Sequence, residues 1–375
     1  MLFSSISFLY YFLPIVLIIY FLAPQKLKNL ILLAASLFFY FYGEPVYSIL
    51  MVLSIISGYL HGLWIFKAKG SRYDKIPLLS SIVISIGLLM FFKYSDFIIE
   101  NINWVLSLID VRNVGLFRLS VKSEGASPIN LPPLNLPLPL GISFYTFQIL
   151  SYTIDVYRGD AKVQKNILNF AAYVSLFPQL IAGPIVRYTT VEEELSHRTH
   201  SFADSAYGIN RFIIGLSKKV LIANTLGELG KIFTNTNQRT VLFYWISTIA
   251  FMLQIYYDFS GYSDMAIGLG RIFGFHFLEN FNYPFISKSI SEFWRRWHMS
   301  LGTWFRDYVY IPMGGNRVSK WKWIRNVIVV WFLTGFWHGA QWNFIVWGLY
   351  FALFLVLEKL IVKKLLDKLP HVVGH

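Results

Sequence analysis

Long apolar runs separated by short basic loops set the pattern of this chain. A bilayer span needs about 20 predominantly apolar residues, and residues 1–22 supply one. No Lys or Arg precedes that run and no small-residue cleavage site follows it, so it predicts a retained span and not a signal peptide. Lys26 and Lys28 come next. Basic loops stay on the cytoplasmic side, which predicts an outside N-terminus. Further spans are predicted over residues 30–42, 46–66 and 76–92, with Gly43-Glu44-Pro45 as a turn. Lys67, Lys69, Arg72 and Lys75 against Asp74 place the loop after the third span in the cytoplasm too.

The middle of the chain is less regular. Residues 97–109 are apolar but short and carry Glu100 and Asn103, which predicts an interfacial or partial helix. Residues 110–137 are polar and then proline-rich, an outside loop, because proline removes backbone donors. Residues 141–156 re-enter, ending cytoplasmically at Arg158, Lys162 and Lys165. Residues 167–185 contain Pro178 and Gly183-Pro184 and predict a broken or re-entrant segment. A charged surface stretch follows over 187–200, then helices over 207–226 and 241–257. Residues 258–277 predict a Gly-rich helix entered through Asp258-Phe259-Ser260-Gly261, with Asp258 either capping its first turn or lining a tunnel. Residues 286–310 interleave Trp294, Trp297 and Trp304 with Arg295, Arg296 and Arg306, the mixture found at the membrane interface, which predicts an interfacial or re-entrant helix. A turn is expected at 312–316.

From Asn326 to Leu357 the chain holds no Asp, Glu, Lys or Arg, and one histidine, His338. Arg325 precedes this stretch; Lys359, Lys363, Lys364 and Lys368 outnumber Glu358 and Asp367 after it. Basic residues at both ends predict a helical hairpin, or two half-spans, with both ends cytoplasmic and His338 near the tip. The climb from Arg325 to His338 is about 20 Å at ~1.5 Å per residue. Gly335 and Gly339 are expected to permit the break and leave room beside the ring for a substrate.

Composition supports this class. The chain is 55% hydrophobic and 14% charged with mean hydropathy +0.52, against about 25% charged in soluble domains. It reads as an all-α polytopic membrane protein; a membrane barrel would show short alternating segments instead. The net charge of +13 fits basic loops facing anionic lipid, and its scatter between spans argues against a nucleic-acid partner. With no cysteine, disulfides, thiolate metal sites and a cysteine nucleophile are excluded. No internal repeat is visible, which disfavours an inverted-repeat transporter.

Two histidines stand in aromatic membrane-associated segments: His298 in FWRRWHMSLGTWFRDY and His338 in GFWHGAQWN. An ionisable ring at membrane depth needs a partner, a wet cavity or a function; the plainer alternative is packing between helices. A neutral imidazole is a competent general base for a hydroxyl, contributing about 10²–10⁴-fold in rate. Thr334, Gln341 and Asn343 are the candidates to orient His338. Arg295, Arg296 and Arg306 suit either donor phosphates or lipid headgroups. The remaining histidines look incidental, and no metal is expected, since HExxH and cysteine are both absent. A relay through His338 and Asp258 would make the chain a proton-coupled transporter or channel instead; loss of catalysis would leave a structural anchor.

The blocks LPLPLGISFYTFQILSYTIDVYRG, SLFPQLIAGPIVRY, QIYYDFSGYSDMAIGLGRIFGF, FWRRWHMSLGTWFRDYVYIPMGGNR and LTGFWHGAQWNFIVWG occur in that order. Together they resemble the membrane-bound O-acyltransferases, more the alginate O-acetylating members than the D-alanyl-lipoteichoic acid transferases. The resemblance implies a ring of about nine to eleven membrane helices, re-entrant and interfacial segments included, around a thin-walled central tunnel. It implies that His338 is the main catalytic residue and His298 its companion. Asp258, Trp294, Trp297, Arg295, Arg306, Trp337, Gln341 and Asn343 are the expected substrate and tunnel positions. The implied donor is acetyl-CoA or a carrier-linked acyl group, with no permanently bound cofactor. The implied setting is the bacterial cytoplasmic membrane, with lipid around the chain, a polysaccharide acceptor and an SGNH-hydrolase-like partner outside. D-alanyl transfer is the alternative within the family. One membrane domain over residues 1–375 is expected, without the further spans with which relatives continue past residues 359–370.

Overall fold

The computed structural model describes residues 2–108, 131–236 and 240–362. Much of the expected outside loop, and the basic positions Lys363, Lys364 and Lys368, lie outside these residues. Among the described residues the chain is helical with no strand. A wide helical turn leads into α1 (Leu13–Leu22), followed by α2 (Lys28–Gly43), α3 (Ser48–Ala68) and α4 (Lys75–Leu108). Three described segments, Ser48–Ala68, Lys75–Ser107 and Trp342–Val362, are long and apolar enough to cross a membrane. Their outward residues are large and apolar, for example Ile49, Leu53, Val83, Val346 and Leu353. That is the surface a bilayer requires and water does not.

α4 corrects the sequence reading. The expected span and the short helix after it are one continuous helix, about 51 Å long at ~1.5 Å per residue. The polar step Lys93-Tyr94-Ser95-Asp96 does not break it, because each long side chain finds a partner elsewhere. Lys93 donates to the Trp337 carbonyl and Tyr94 to the Phe336 carbonyl. Asp96 accepts the Leu134 amide at 2.7 Å.

The centre is α5 (Ile142–Arg158), buried along nearly its whole length. Around it stand α3, α4, α6 (Ile167–Ser175) and α8 (Tyr188–Ser196). The expected break falls between α6 and α7 (Phe177–Leu180), where Pro178 occupies the first turn. α9 (Phe202–Ser217) runs through a wide turn into α10 (Asn224–Asn235).

α11 (Val241–Ile272) is the second correction: the two helices read on either side of Asp258 are one. Asp258 caps nothing. It lies inside the helix, paired with Lys219. Asp264 is held by Arg211 at 2.7 Å and Lys218 at 2.6 Å. A Cβ on Gly261 would meet Gly215 O at 2.7 Å, and one on Gly268 would meet Gly208 O at 2.5 Å. The glycines therefore let α9 and α11 pack backbone to backbone, as small residues do between membrane helices.

The Trp-Arg stretch, expected as one interfacial or re-entrant helix, folds into short pieces, α12 (Ile290–Arg296) and α13 (Met299–Phe305), broken at Trp297-His298, where His298 takes a left-handed backbone. α14 (Lys320–His338) and α15 (Trp342–Leu357) form the expected antiparallel hairpin, with His338 at its tip.

Candidate functional site

His338 is the last residue of α14. The backbone leaves the helix at Gly339, which is extended, a conformation open to any residue. A Cβ on Gly339 would strike the Phe344 ring; one on Gly335 would strike the Phe344 carbonyl; one on Gly348 would strike Trp331 O. The glycines thus seat the returning helix and do not make substrate room, which corrects the sequence expectation. The room lies on the other side of the ring. His338 is exposed to a cavity of about 170 Å³, lined also by Trp294, Trp297, His298, Trp331 and Thr334. Trp337 and Trp347 hold the His338 ring edge to face, at 5.0 and 5.1 Å between centroids.

His298 reaches the same cavity from α13 and is 4% exposed. Its backbone is left-handed, φ 44° and ψ 52°, unusual for a residue with a Cβ. Asn280 holds it there. The buried Asn280 side chain accepts from Ser300 N at 3.2 Å and Ser300 Oγ at 2.9 Å, and meets His298 Nδ1 at 3.2 Å. Its Nδ2 donates to Ser263 Oγ at 3.0 Å. A backbone N–H can only donate, so the atom facing Ser300 N is the amide oxygen. It follows that His298 Nδ1 carries the hydrogen and Nε2 presents its lone pair. Nε2 is buried and has no partner among the described residues.

Trp294 Nε1, on the same cavity, is likewise buried and unpartnered. Residues that line the cavity thus carry one buried acceptor and one buried donor without a partner among the described residues, and the adjacent Trp337 carries a second such donor, Nε1. Trp337 lies between the histidines, 6.0 Å from the His298 ring, and packs on Phe147 of α5, which also stacks on Trp304 at 3.9 Å. The central helix thus braces both histidine-bearing segments.

The structure brings His298, His338, Trp294, Trp297 and Trp337 together. It does not bring in the other expected positions. Arg295 is exposed. Arg306 is 58% exposed and paired with Asp307 at 2.6 Å. Asp258 faces Lys219. Gln341 lines a different cavity, with Trp342, Glu100 and Trp104. Asn343 is exposed and outside the lining. None of the three orienting candidates hydrogen-bonds the His338 ring; Thr334 donates to Val330 O at 2.8 Å. His61, expected to be incidental, is a satisfied packing residue between Ser57 and Ser80. Sequence reasoning missed Asn280, Ser300, Phe259 (edge to face on His298 at 4.7 Å) and Lys93. Among the described residues no cluster of metal ligands occurs.

Residues 160–365 match the membrane-bound O-acyltransferase (MBOAT) family. A probable alginate O-acetylase of Azotobacter vinelandii is 42% identical over 361 residues, covering 96% of this chain and 69% of that protein. A peptidoglycan O-acetyltransferase of Helicobacter pylori is 35% identical, over 93% of this chain and 68% of its own. A teichoic acid D-alanyltransferase of Bacillus subtilis is 34% identical over 60% of each chain. The chain spans about two thirds of the length of the curated relatives it matches.

Proposed function

Because this chain belongs to the membrane-bound O-acyltransferase family, we propose that it transfers an acetyl group to a hydroxyl of an exported or cell-envelope glycan. The observation that carries this reading is the convergence of two histidines on one small cavity with an unused acceptor, His298 Nε2, and an unused donor, Trp294 Nε1. An acyl carbonyl needs a donor as its oxygen gains charge, and an attacking hydroxyl needs a base. The cavity volume of about 170 Å³ equals the share of five or six waters. That favours a short acyl group over a fatty chain.

In the proposed mechanism His338, its ring held between two indoles, takes the proton of the attacking hydroxyl as the new C–O ester bond forms, and returns it to the donor's departing group (the thiol of CoA or of the carrier) as the acyl–donor bond breaks. His298, its tautomer fixed by Asn280, accepts a hydrogen bond from the bound substrate and positions it. Trp294 N–H donates to the acyl oxygen. The donor is acetyl-CoA or a carrier-linked acetyl group entering from the cytoplasm, and the acyl unit is handed outward to a polysaccharide or to an SGNH-hydrolase-like partner. This assigns the chain to the bacterial cytoplasmic membrane with its N-terminus outside. Acetyl is preferred to D-alanyl because the acetylating relatives are 42% and 35% identical over 96% and 93% of the chain, while two D-alanyltransferases are 34% identical over 60% and 26% identical over 86%. A proton relay through Asp258 draws no support from an aspartate paired with Lys219 outside the cavity lining.

The test is ester acetate on envelope polysaccharide in cells expressing wild type, His338→Ala or His298→Ala at equal levels. Loss of product in His338→Ala is expected. Wild-type acetylation in that strain would overturn the assignment.

A further inference from the structure

Two consecutive residues of α4 reach the end of the helix that carries His338. Tyr94 donates its hydroxyl to Phe336 O at 2.6 Å, and its ring stacks on Phe336 with centroids 4.0 Å apart. Lys93 donates from Nζ to Trp337 O, the carbonyl immediately before His338. These carbonyls belong to the last turn of α14, where a helix runs out of amides to satisfy them. The turn to extended backbone at Gly339 removes the amides that a continuing helix would have offered.

The location of Lys93 is unusual. It lies inside one of the three segments suited to cross a membrane. Its described partners are the Trp337 carbonyl, the Ser143 hydroxyl at 3.4 Å and the rings of Tyr94 and Trp337, and none is a carboxylate. A cation at membrane depth without a counter-charge is expensive and marks a working residue. What it faces here is the negative end of the α14 dipole, where a cation is favoured.

We propose that Lys93, assisted by Tyr94, is a positioning residue that caps the tip of the α14–α15 hairpin from another helix and so fixes His338 against the cavity. Lys93 does not line that cavity. It acts through the peptide that precedes His338. This rests on the reading of His338 as the base. The shift to be prevented is small, since a displacement of about 1 Å in a reacting group costs about 10²-fold in rate.

The experiment compares the full chain, wild type, Lys93→Met and Tyr94→Phe, purified from membranes. Lys93→Met keeps the stem and removes the ammonium group. Two readouts are taken: kcat and KM for acetyl-CoA, and hydrogen exchange of the tip amides at 336–340. The expected result is a fall in kcat of about 10²-fold with KM unchanged within twofold, and exchange at the tip faster by about tenfold. Tyr94→Phe removes one hydroxyl, should fold normally, and should show the same pattern more weakly. A kcat within twofold of wild type in both variants, a loss carried by KM alone, or unchanged tip exchange would each overturn the proposal. If wild type transfers no acetyl group, the enzymatic reading fails, while the exchange readout still decides whether Lys93 caps the hairpin.

Discussion

Asn280→Ala is the substitution that probes the site most sharply without touching the cavity lining. The Asn280 side chain is wholly buried and ends four hydrogen bonds: from His298 Nδ1, from Ser300 N and Oγ, and to Ser263 Oγ. A net hydrogen bond is worth about 1 kcal/mol in a soluble protein and about 0.6 kcal/mol between membrane helices. Four of them bracket the loss at roughly 2–4 kcal/mol. The effect on the reaction is separate. Without the amide oxygen nothing fixes the hydrogen on Nδ1, and the left-handed backbone of His298 loses the contacts that hold it. Removing a partner that orients a functional histidine costs about 10–100-fold. Asn280→Asp keeps the acceptor for His298 Nδ1 but loses the donor to Ser263 and buries a carboxylate, so it should lower Tm while retaining more activity than Asn280→Ala. The assay is thermal unfolding in detergent beside kcat for acetyl transfer. An Asn280→Ala protein with wild-type Tm and kcat would refute the reasoning that this side chain sets the His298 tautomer.

Two further substitutions test separate parts of the account. Trp294→Phe keeps an aromatic ring against Trp331, Trp347 and Phe351 and removes the unpartnered N–H with part of the indole volume; kcat should fall by about 10–10³-fold, up to the scale of one lost oxyanion donor, with a modest fall in Tm from the lost packing. Gly348→Ala drives a methyl into Trp331 O and the Gly335 backbone, and should cost about 1–3 kcal/mol by overpacking, read as a lower Tm.

Much of the architecture was legible in the sequence because apolar length and loop charge report on membrane helices directly. The hairpin around His338 and the break at Pro178 appear as expected, while the Trp-Arg stretch breaks into short pieces in place of one helix. So does the family, since five ordered blocks carry far more information than one motif. The failures share a cause. Asp258 and Lys93 looked like places where helices end, because a charge in an apolar run is costly. Each is tolerated because a partner arrives from a distant part of the chain, Lys219 for one and the Trp337 carbonyl for the other. Sequence spacing does not reveal those partners. Gly335 and Gly339 are a further case, where spacing alone suggests substrate room beside His338. A glycine makes space, and only the neighbour decides whether ligand or backbone fills it; here it is Phe344. Asn280 gave no signal beyond being an asparagine before an aromatic run.

The central claim is that His338 and His298 work on one substrate in one cavity. It is tested most directly by the purified full chain in lipid vesicles, given radiolabelled acetyl-CoA and a glycan acceptor, with label counted as alkali-labile ester. The account predicts ester formation by wild type, a loss of at least about 10²-fold in His338→Ala, and a comparable loss in His298→Ala with both proteins folded. Label transferred at the wild-type rate by folded His338→Ala would contradict it.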